Sequence, residues 1–508
     1  MCGIIAIARQ KSSRIPPSAE GIKQSADLSN LGRIQDHQDI LRCVKKLQKV
    51  KELISGAAGI NTLISDSQFR SYLQGICSIL TEDLENYESE LVQTGMDSQK
   101  LEEINTDLIK LKDLLWHIEY DRIIVSQSVG ELLGGRTGDR FIEIFLTVQQ
   151  VLTGLDRLEV RGRDSAGIHL MIQNHGLDLK NLGVRQEIEN RAADLNYKSG
   201  SVRILDNALS FVYKVASEIG ELGDNSQELR KLILSDDLFY RALENENVTA
   251  VAIGHSRWAS VGIISEPNTH PMNSELLESE DSPFVVAAAN GDVDNFADLK
   301  RLRNLQIPKL ITSDSKVIPA LMSNELSSQH GSPLDLDEAF RKTVQTLDGS
   351  IAIIANTGLK PEKLYMALRG SGQGLYVGLS DDAYVIASEP YGLVEATDSY
   401  LRLNGETLPN RNDSVSGPGE IVSVSLNEPV AVQSLKRIAY DGTALPITDN
   451  EFTQAEITTR DIDRRNFPHF LLKEIFESPQ SFEKTLRGNL LNENGSFRVA
   501  HSDTEFPS

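Results

Sequence analysis

The chain opens MCGIIAIA, with a cysteine directly behind the initiator methionine and an apolar, Ile- and Ala-rich run over residues 2 to 8. A run with so little alternation reads as a strand buried on both faces, so the fold must build part of its core around the chain's own beginning. Removal of Met1, which a small residue at position 2 permits, leaves Cys2 carrying a free α-amine. With reference pKa values of about 7.7 to 8.0 for such an amine and about 8.5 for a thiol, the amine can take the thiol proton near neutrality. Cys2 is thereby a candidate nucleophile that brings its own base. Taken alone, Met-Cys is weak evidence and reads as the start of an ordinary strand.

Behind this strand the character changes. From about Ser12 to Arg140 the sequence is polar and almost free of strand signals. Its apolar residues recur at helical spacing, in one series Leu73, Ile76, Leu80, Leu84, Tyr87 and Leu91 and in another Leu101, Ile104, Leu108, Leu111, Leu115 and Ile118. Residues 13–140 therefore read as a helical insertion of three or four helices with solvated outer faces. A helix is expected from about Phe141 to Leu158. After it come short buried runs bounded by turn residues, GIHLMI, TAVAIG, PFVVAAAN, GSIAIIAN, KLYMALR, LYVGL and AYVIAS, enough for two sheets. Residues 206 to 246 read as helical, and a smaller insertion is placed within about 184–244. The glycine-rich RGSGQGLYVG lacks the GxGxxG spacing and is expected to be a hairpin in a sheet. From about Asp449 the periodicity weakens, and RRNFPHFLLKEIFESPQSFEKTLRG reads as one or two amphipathic helices.

Composition narrows the classes. At 508 residues, with 40% hydrophobic and 24% charged residues, the chain suits a globular protein of several domains. It has neither about 18 uninterrupted apolar residues nor a basic-start signal segment, since Arg9 breaks the opening run. A cytoplasmic protein with no membrane partner is expected. A net charge of −22 spread along the chain argues against nucleic acid, which needs clustered Lys and Arg. The cysteines Cys2, Cys43 and Cys77 show no CxxC or Cys/His spacing, so no metal, disulfide framework or cofactor is indicated. Cys43 and Cys77 lie in helical patterns and read as core.

Four ordered strings accompany Cys2: RGRDSAG at 161–167, GHSRWAS at 254–260, ANGD at 289–292 and TSDSKVI at 312–318. Singly each has a bland reading. Asn-Gly after a strand is a hairpin turn, Arg257 a structural ion pair, and Asp314 a helix N-cap before KVIPALM. His255 and His270 are too far apart in sequence, with no helical carboxylate, to suggest a metal pair.

As an ordered set the strings resemble the class II glutamine amidotransferases, N-terminal-nucleophile hydrolases, and most nearly the glutaminase part of the glutamine:fructose-6-phosphate aminotransferases. The resemblance covers residues 1–9, 141–183 and roughly 245–435, and continues in HFLLKEIFESPQSFEKTLRG. It implies an α+β fold of four αββα layers, with residues 1–12 and 141–448 as the glutaminase domain, 13–140 as a large helical insertion, and 449–508 as a linker into a sugar-isomerase region absent from these residues. It implies that Cys2 attacks the side-chain amide of L-glutamine, and that Asn290 and Gly291 form the oxyanion hole. Arg257 would hold the substrate carboxylate, Ser260 would donate to it, Asp314 would pair with the substrate ammonium, and Trp258 would line the glutamine loop. Arg161, Asp164 and His270 would support this arrangement.

The released ammonia would go to fructose 6-phosphate, a sugar-phosphate acceptor bound elsewhere, in a chain expected to be truncated or to act with another polypeptide. A homo-oligomer is compatible with this. The rival readings are a glutaminase serving another acceptor and a silent scaffold on the same fold. Arg163, Val261, Ala289, Asp292 and Lys316 depart from the family's usual Tyr, His, His, apolar residue and Glu.

Overall fold

The opening strand, Gly3–Arg9, is buried at every position, which requires pairing along both edges and cover on both faces. The computed structural model supplies both. It describes residues 2–91, 98–216, 221–277, 282–328, 335–406, 419–486, 490–493 and 496–499. In chain order its two principal sheets use β1 (Gly3–Arg9), β2 (Ser165–Gln173), β3 (Val202–Leu205), β4 (Ala208–Val215), β5 (Thr249–Arg257), β6 (Met272–Asn273), β7 (Val285–Asn290), β8 (Ile351–Thr357), β9 (Lys360–Arg369), β10 (Tyr376–Leu379), β11 (Ala383–Ala387), β12 (Ser399–Arg402), β13 (Glu420–Ser425), β14 (Lys436–Ala439) and β15 (Phe452–Gln454). Nine strands run in the order β15-β12-β10-β11-β1-β5-β2-β4-β3, and six in the order β14-β13-β9-β8-β7-β6. β1 thus lies inside the larger sheet, antiparallel to β5, with Gly3 opposite Ser256, and to β11, with Ile5 opposite Ala387.

Period-two alternation assigns the two faces of β1. Ile4, Ala6 and Ala8 enter a core shared with Val286, Ala288, Ile354, Met366 and Val422 of the smaller sheet. The opposite face meets the helix Asp139–Leu158, and the fit is close, since a Cβ on Gly154 would lie 2.9 Å from Ile5. The smaller sheet turns Val285, Ala287, Ile353 and Ala367 toward the helices Val317–Ser327 and Leu336–Gln345, which contribute Leu321, Phe340 and Val344. Mixed helices and antiparallel sheets make this an α+β protein.

Two expectations need correction. Residues 206 to 246 are not helical throughout, because β4 occupies Ala208–Val215 and pairs with β2 from Ala208↔Gln173 to Val215↔Ala166. ALSFVYKV is aromatic and β-branched and is buried at every position, which a pairing partner on β2 rewards more than a helix would. Helices follow only at Asp224–Leu234 and Asp237–Ala242. Nor is RGSGQGLYVG a hairpin: β9 belongs to the smaller sheet and β10 to the larger, so the glycines carry the chain from one sheet to the other. Gly370 takes a positive φ of 75°, and a Cβ on Gly405 would stand 2.0 Å from the Gly370 carbonyl oxygen.

Contacts divide the chain into two compact units. One comprises Met1–Arg14 with Ser128–Thr458, the other Ile15–Gln127 with Thr459–Ser508. The second unit contains the helices His37–Leu53, Gly56–Ser65, Ser67–Leu91 and Ser98–Ile118. Their core takes in Cys43, Leu47, Leu73, Cys77, Leu84, Ile104, Leu108 and Leu111. The later segment adds polar ties within this unit, as Thr459 donates to Asp121 at 2.6 Å and Arg460 to Asp113 at 2.7 Å.

The helix Ser98–Ile118 offers a controlled comparison of one residue type at two depths. Ile104 is 1% exposed and Ile109 is 53% exposed. In urea unfolding, Ile104→Ala should lower stability by about 2–5 kcal/mol and Ile109→Ala by about 0.5 kcal/mol or less.

Candidate active site

β1 begins one residue after Cys2, and its antiparallel neighbour β5 ends at Arg257, so the two strand ends meet. The Trp258 N–H lies 3.3 Å from Cys2 Sγ, and the Trp258 carbonyl oxygen 3.5 Å from it. Gly3 is needed for the approach: a Cβ there would lie 2.6 Å from both Leu158 Cβ and Ser256 Oγ. The other sheet contributes the end of β7. Asn290 Nδ2 donates to the Cys2 carbonyl at 2.9 Å, and Gly291 follows with φ of 87°. A Cβ on Gly291 would come 2.0 Å from the Ser350 carbonyl oxygen, so no other residue fits without displacement. The Asn-Gly pair ends a strand beside the cysteine and is not a hairpin turn.

RGRDSAG grips the segment after β5. Asp164 donates its N–H to the Arg257 carbonyl at 3.0 Å, and its carboxylate accepts from the Ala259 N–H at 2.8 Å. Gly162 lets the two backbones touch, because a Cβ there would sit 2.5 Å from the Trp258 nitrogen. Arg161 points elsewhere, forming an ion pair with Glu389 at 2.6 Å. The Arg257 guanidinium is 3% exposed as a residue and donates to the carbonyls of Val261 and Ile263, bracing the loop in which Trp258 stands 57% exposed. Ser260 Oγ donates to Asp292 at 2.7 Å.

Asp314 is buried and accepts from the Val293 N–H at 2.6 Å. It does not cap the helix Val317–Ser327, whose N-cap position is Lys316 with no side-chain capping bond. The carboxylate thus secures the segment behind Asn290 and Gly291. Lys316 is fully buried and commits its ammonium to Asn273, at 2.7 Å to the carbonyl oxygen and 3.0 Å to Oδ1. Burial pulls the Lys316 pKa down to about 7.

The electrostatics around the cysteine are mixed. Burial pushes the Cys2 thiol above its usual value, while the Trp258 N–H and the Arg257 charge pull against it. Burial also raises the Asp314 carboxyl, against the Val293 N–H, and lowers Arg257, against the charges of Cys2, Asp314 and Asp164. The thiol thus lies in the field of the Arg257 cation, which also feels the acids Asp314 and Asp164.

The structure therefore gathers Cys2, Asn290, Gly291, Arg257, Trp258, Ser260 and Asp164 at one end of the two sheets, with Asp314 behind them. His270 lies deeper, stacked on His255 with ring centroids 4.3 Å apart. Its Nδ1 accepts from the Ala289 N–H at 3.2 Å. The contact that sequence reasoning missed is His255 with Asn290, at 3.2 Å. Its one available signal was the position of His255 two residues before Arg257, on the inward side of a strand.

Comparison with known proteins agrees with the strings. No protein-family model matches the chain. Among curated relatives, the glutamine–fructose-6-phosphate aminotransferase (isomerizing) of Bacillus cereus (strain ATCC 10987 / NRS 248) is 28% identical over 350 residues, 69% of this chain and 44% of the relative. Those of Oceanobacillus iheyensis and Halalkalibacterium halodurans are 29% identical over 353 residues (70% and 44%) and 30% identical over 251 residues (49% and 36%). The chain spans less than half the length of these relatives. Two solved structures, one titled as the allosteric regulatory enzyme of purine biosynthesis and one as glutamine phosphoribosylpyrophosphate amidotransferase from B. subtilis with ADP and GMP, overlap it at TM-scores of 0.36 and 0.35. They are 20% and 19% identical, over 58% of this chain and 46% and 47% of theirs. The resemblance drawn from the motifs is borne out by the curated names.

Thiol chemistry gives a direct check on this environment. In the chain beginning at Met1, alkylation of Cys2 by iodoacetamide should be slow at pH 7 and keep rising past pH 9, because a raised thiol pKa delays thiolate formation. Cys43 and Cys77, buried and pushed to about 11 and about 12, should lag at every pH in peptide mass spectra.

Proposed function

We infer that this chain, a relative of the glutamine–fructose-6-phosphate aminotransferases, is the glutamine-hydrolysing part of an amidotransferase whose nucleophile is Cys2 after loss of Met1. The observation that carries the reading is the Asn290 amide nitrogen 2.9 Å from the Cys2 carbonyl. Residues from two different sheets are brought together there, and a hydrogen-bond donor stands beside the nucleophile. Under this reading the two sheets and their flanking helices are the four αββα layers of an N-terminal-nucleophile hydrolase, and the helical unit is an insertion.

The free α-amine takes the thiol proton, and the thiolate attacks the side-chain amide carbon of glutamine. The developing oxyanion is met by Asn290 Nδ2 and the Gly291 N–H, fixed dipoles in a partly desolvated site. Collapse breaks the C–N bond. Ammonia leaves with the proton held on the α-ammonium, and a γ-glutamyl thioester remains on Cys2. Water, deprotonated by the same amine, releases glutamate and restores the thiol.

Arg257 offers a planar fork to the substrate α-carboxylate, exchanging its present carbonyl partners for it, and the Ser260 hydroxyl can turn from Asp292 to the same group. Asp314 supplies the opposite charge for the α-ammonium. Trp258 covers the site from its loop, while Asp164 and His270 hold the backbone on either side. The ammonia acceptor proposed is a sugar phosphate, fructose 6-phosphate by the relatives' name, bound by a domain outside these 508 residues.

Intact-mass measurement should show the active protein starting at Cys2. Full glutaminase activity in protein that retains Met1 would end this mechanism. Asn290→Ala should lower kcat about 100- to 1,000-fold with little change in KM. Arg257→Ala should instead raise KM strongly, because it binds a charge present in both ground and transition states. Asp314→Ala should raise KM as well. If that variant loses thermal stability alone, its carboxylate serves only its structural partners, the Val293 N–H and the Ser313 and Ser315 hydroxyls.

A further inference from the structure

We propose that His255 is a positioning residue that holds the Asn290 side-chain amide the right way round for the oxyanion, a role that rests on the glutaminase reading above. His255 lies on β5 and is completely buried. Its Nε2 is 3.0 Å from the Ala289 carbonyl oxygen and 3.2 Å from Asn290 Oδ1. A carbonyl can only accept, so Nε2 must carry the ring hydrogen. An Nε2–H in turn requires the Asn290 atom facing it to be the oxygen.

The far end of the same amide gives an independent answer. There the Cys2 carbonyl can also only accept, so the atom 2.9 Å from it is the NH2 group. Both ends agree on one orientation. Turned by 180°, the amide would present its oxygen to the Cys2 carbonyl and to the place where substrate oxygen gains charge, and a stabilising donor would become a repelling acceptor.

The surroundings keep this device in one state. Burial drives the His255 pKa down to about 3, so the ring stays neutral and has a single hydrogen to place. Nδ1 finds no hydrogen-bond partner among the described residues, so a hydrogen there would be lost to bonding while Nε2 faced two acceptors bare. His270 stacks on the ring and takes the Ala289 N–H, clamping residue 289 on both its peptide groups. The carbonyl that fixes the tautomer is therefore itself held still.

The experiment is a double-mutant cycle on the processed enzyme, read by steady-state glutaminase kinetics. His255→Leu should reduce kcat about 10- to 100-fold, less than removing the Asn290 donor, with KM changed less than about threefold. His255→Gln, which can place an N–H near Nε2, should recover most of that loss. In an Asn290→Ala background, His255→Leu should cost nothing further, because the histidine acts only through that amide. An undiminished kcat in the leucine variant, or a second loss of similar size on top of Asn290→Ala, overturns the proposal.

Should the leucine variant fail to fold, 15N-histidine NMR of the unaltered protein decides the matter. A proton on His255 Nε2 is expected, and a bare Nε2 overturns the placement in active or inactive protein alike. An unaltered, correctly processed enzyme that hydrolyses no glutamine instead brings down the reading on which the role rests.

Discussion

The antiparallel pairing of β1 with β5 and β11 is the constraint on which the site depends. Residues near a chain's beginning ordinarily fray, yet here the strand that follows Cys2 is hydrogen-bonded on both edges and buried on both faces. The same register sets Gly3 against Ser256, which brings Arg257 and Trp258 alongside Cys2. The hydrophobic core and the position of the thiol are consequences of one strand. A change that weakened β1 would act on stability and on the position of the thiol together.

The second sheet completes the site by a polar contact at the edge of the apolar core. Asn290 reaches Cys2 from the end of β7, and behind it a layer of buried polar groups, His255, His270, Asp314 and Lys316, meets backbone groups of adjoining segments. Burying such groups is unfavourable unless they are partnered, and here the partners are main-chain groups of Ala289 at the end of β7, of Val293 just beyond it and of Asn273 on β6. The polar layer therefore braces the end of β7 and the turn after it, on either side of Asn290 and Gly291. Arg257 and Ser260 differ, since their partners Val261, Ile263 and Asp292 lie on exposed or half-buried segments around the cysteine. The charged groups beside the cysteine are thus held by partners nearer solvent than those of the polar layer behind it.

Much of the fold was legible because burial writes itself into period and composition. The helical series from Leu73 to Leu91 and from Leu101 to Ile118 and the Ala- and Val-rich strands depend only on local spacing against a core. The failures came where the deciding term was not local. ALSFVYKV carries no turn signal of its own and becomes β4 because β2 offers it a complete partner. The glycines after β9 permit a tight reversal, but they lead into the other sheet because β10 finds its partners in β11 and β12. The Asp314 carboxylate lies a turn ahead of the helix it was expected to cap, and one of its oxygens meets the Val293 amide, far away in sequence.

By itself the sequence determined that a cysteine follows the initiator methionine, that a buried strand must follow the cysteine, and that the four strings supply an amide and two opposite charges. Those facts rest on residue type and order. Tertiary structure alone decided that Asn290 faces Cys2 with its nitrogen, that Arg257 is spent on its own loop, and that His255 lies behind the amide. Each is a matter of which donor meets which acceptor across two sheets. Hydrogen-bond direction is set by atoms that share a place and not a stretch of chain, so no spacing along the sequence could have shown it.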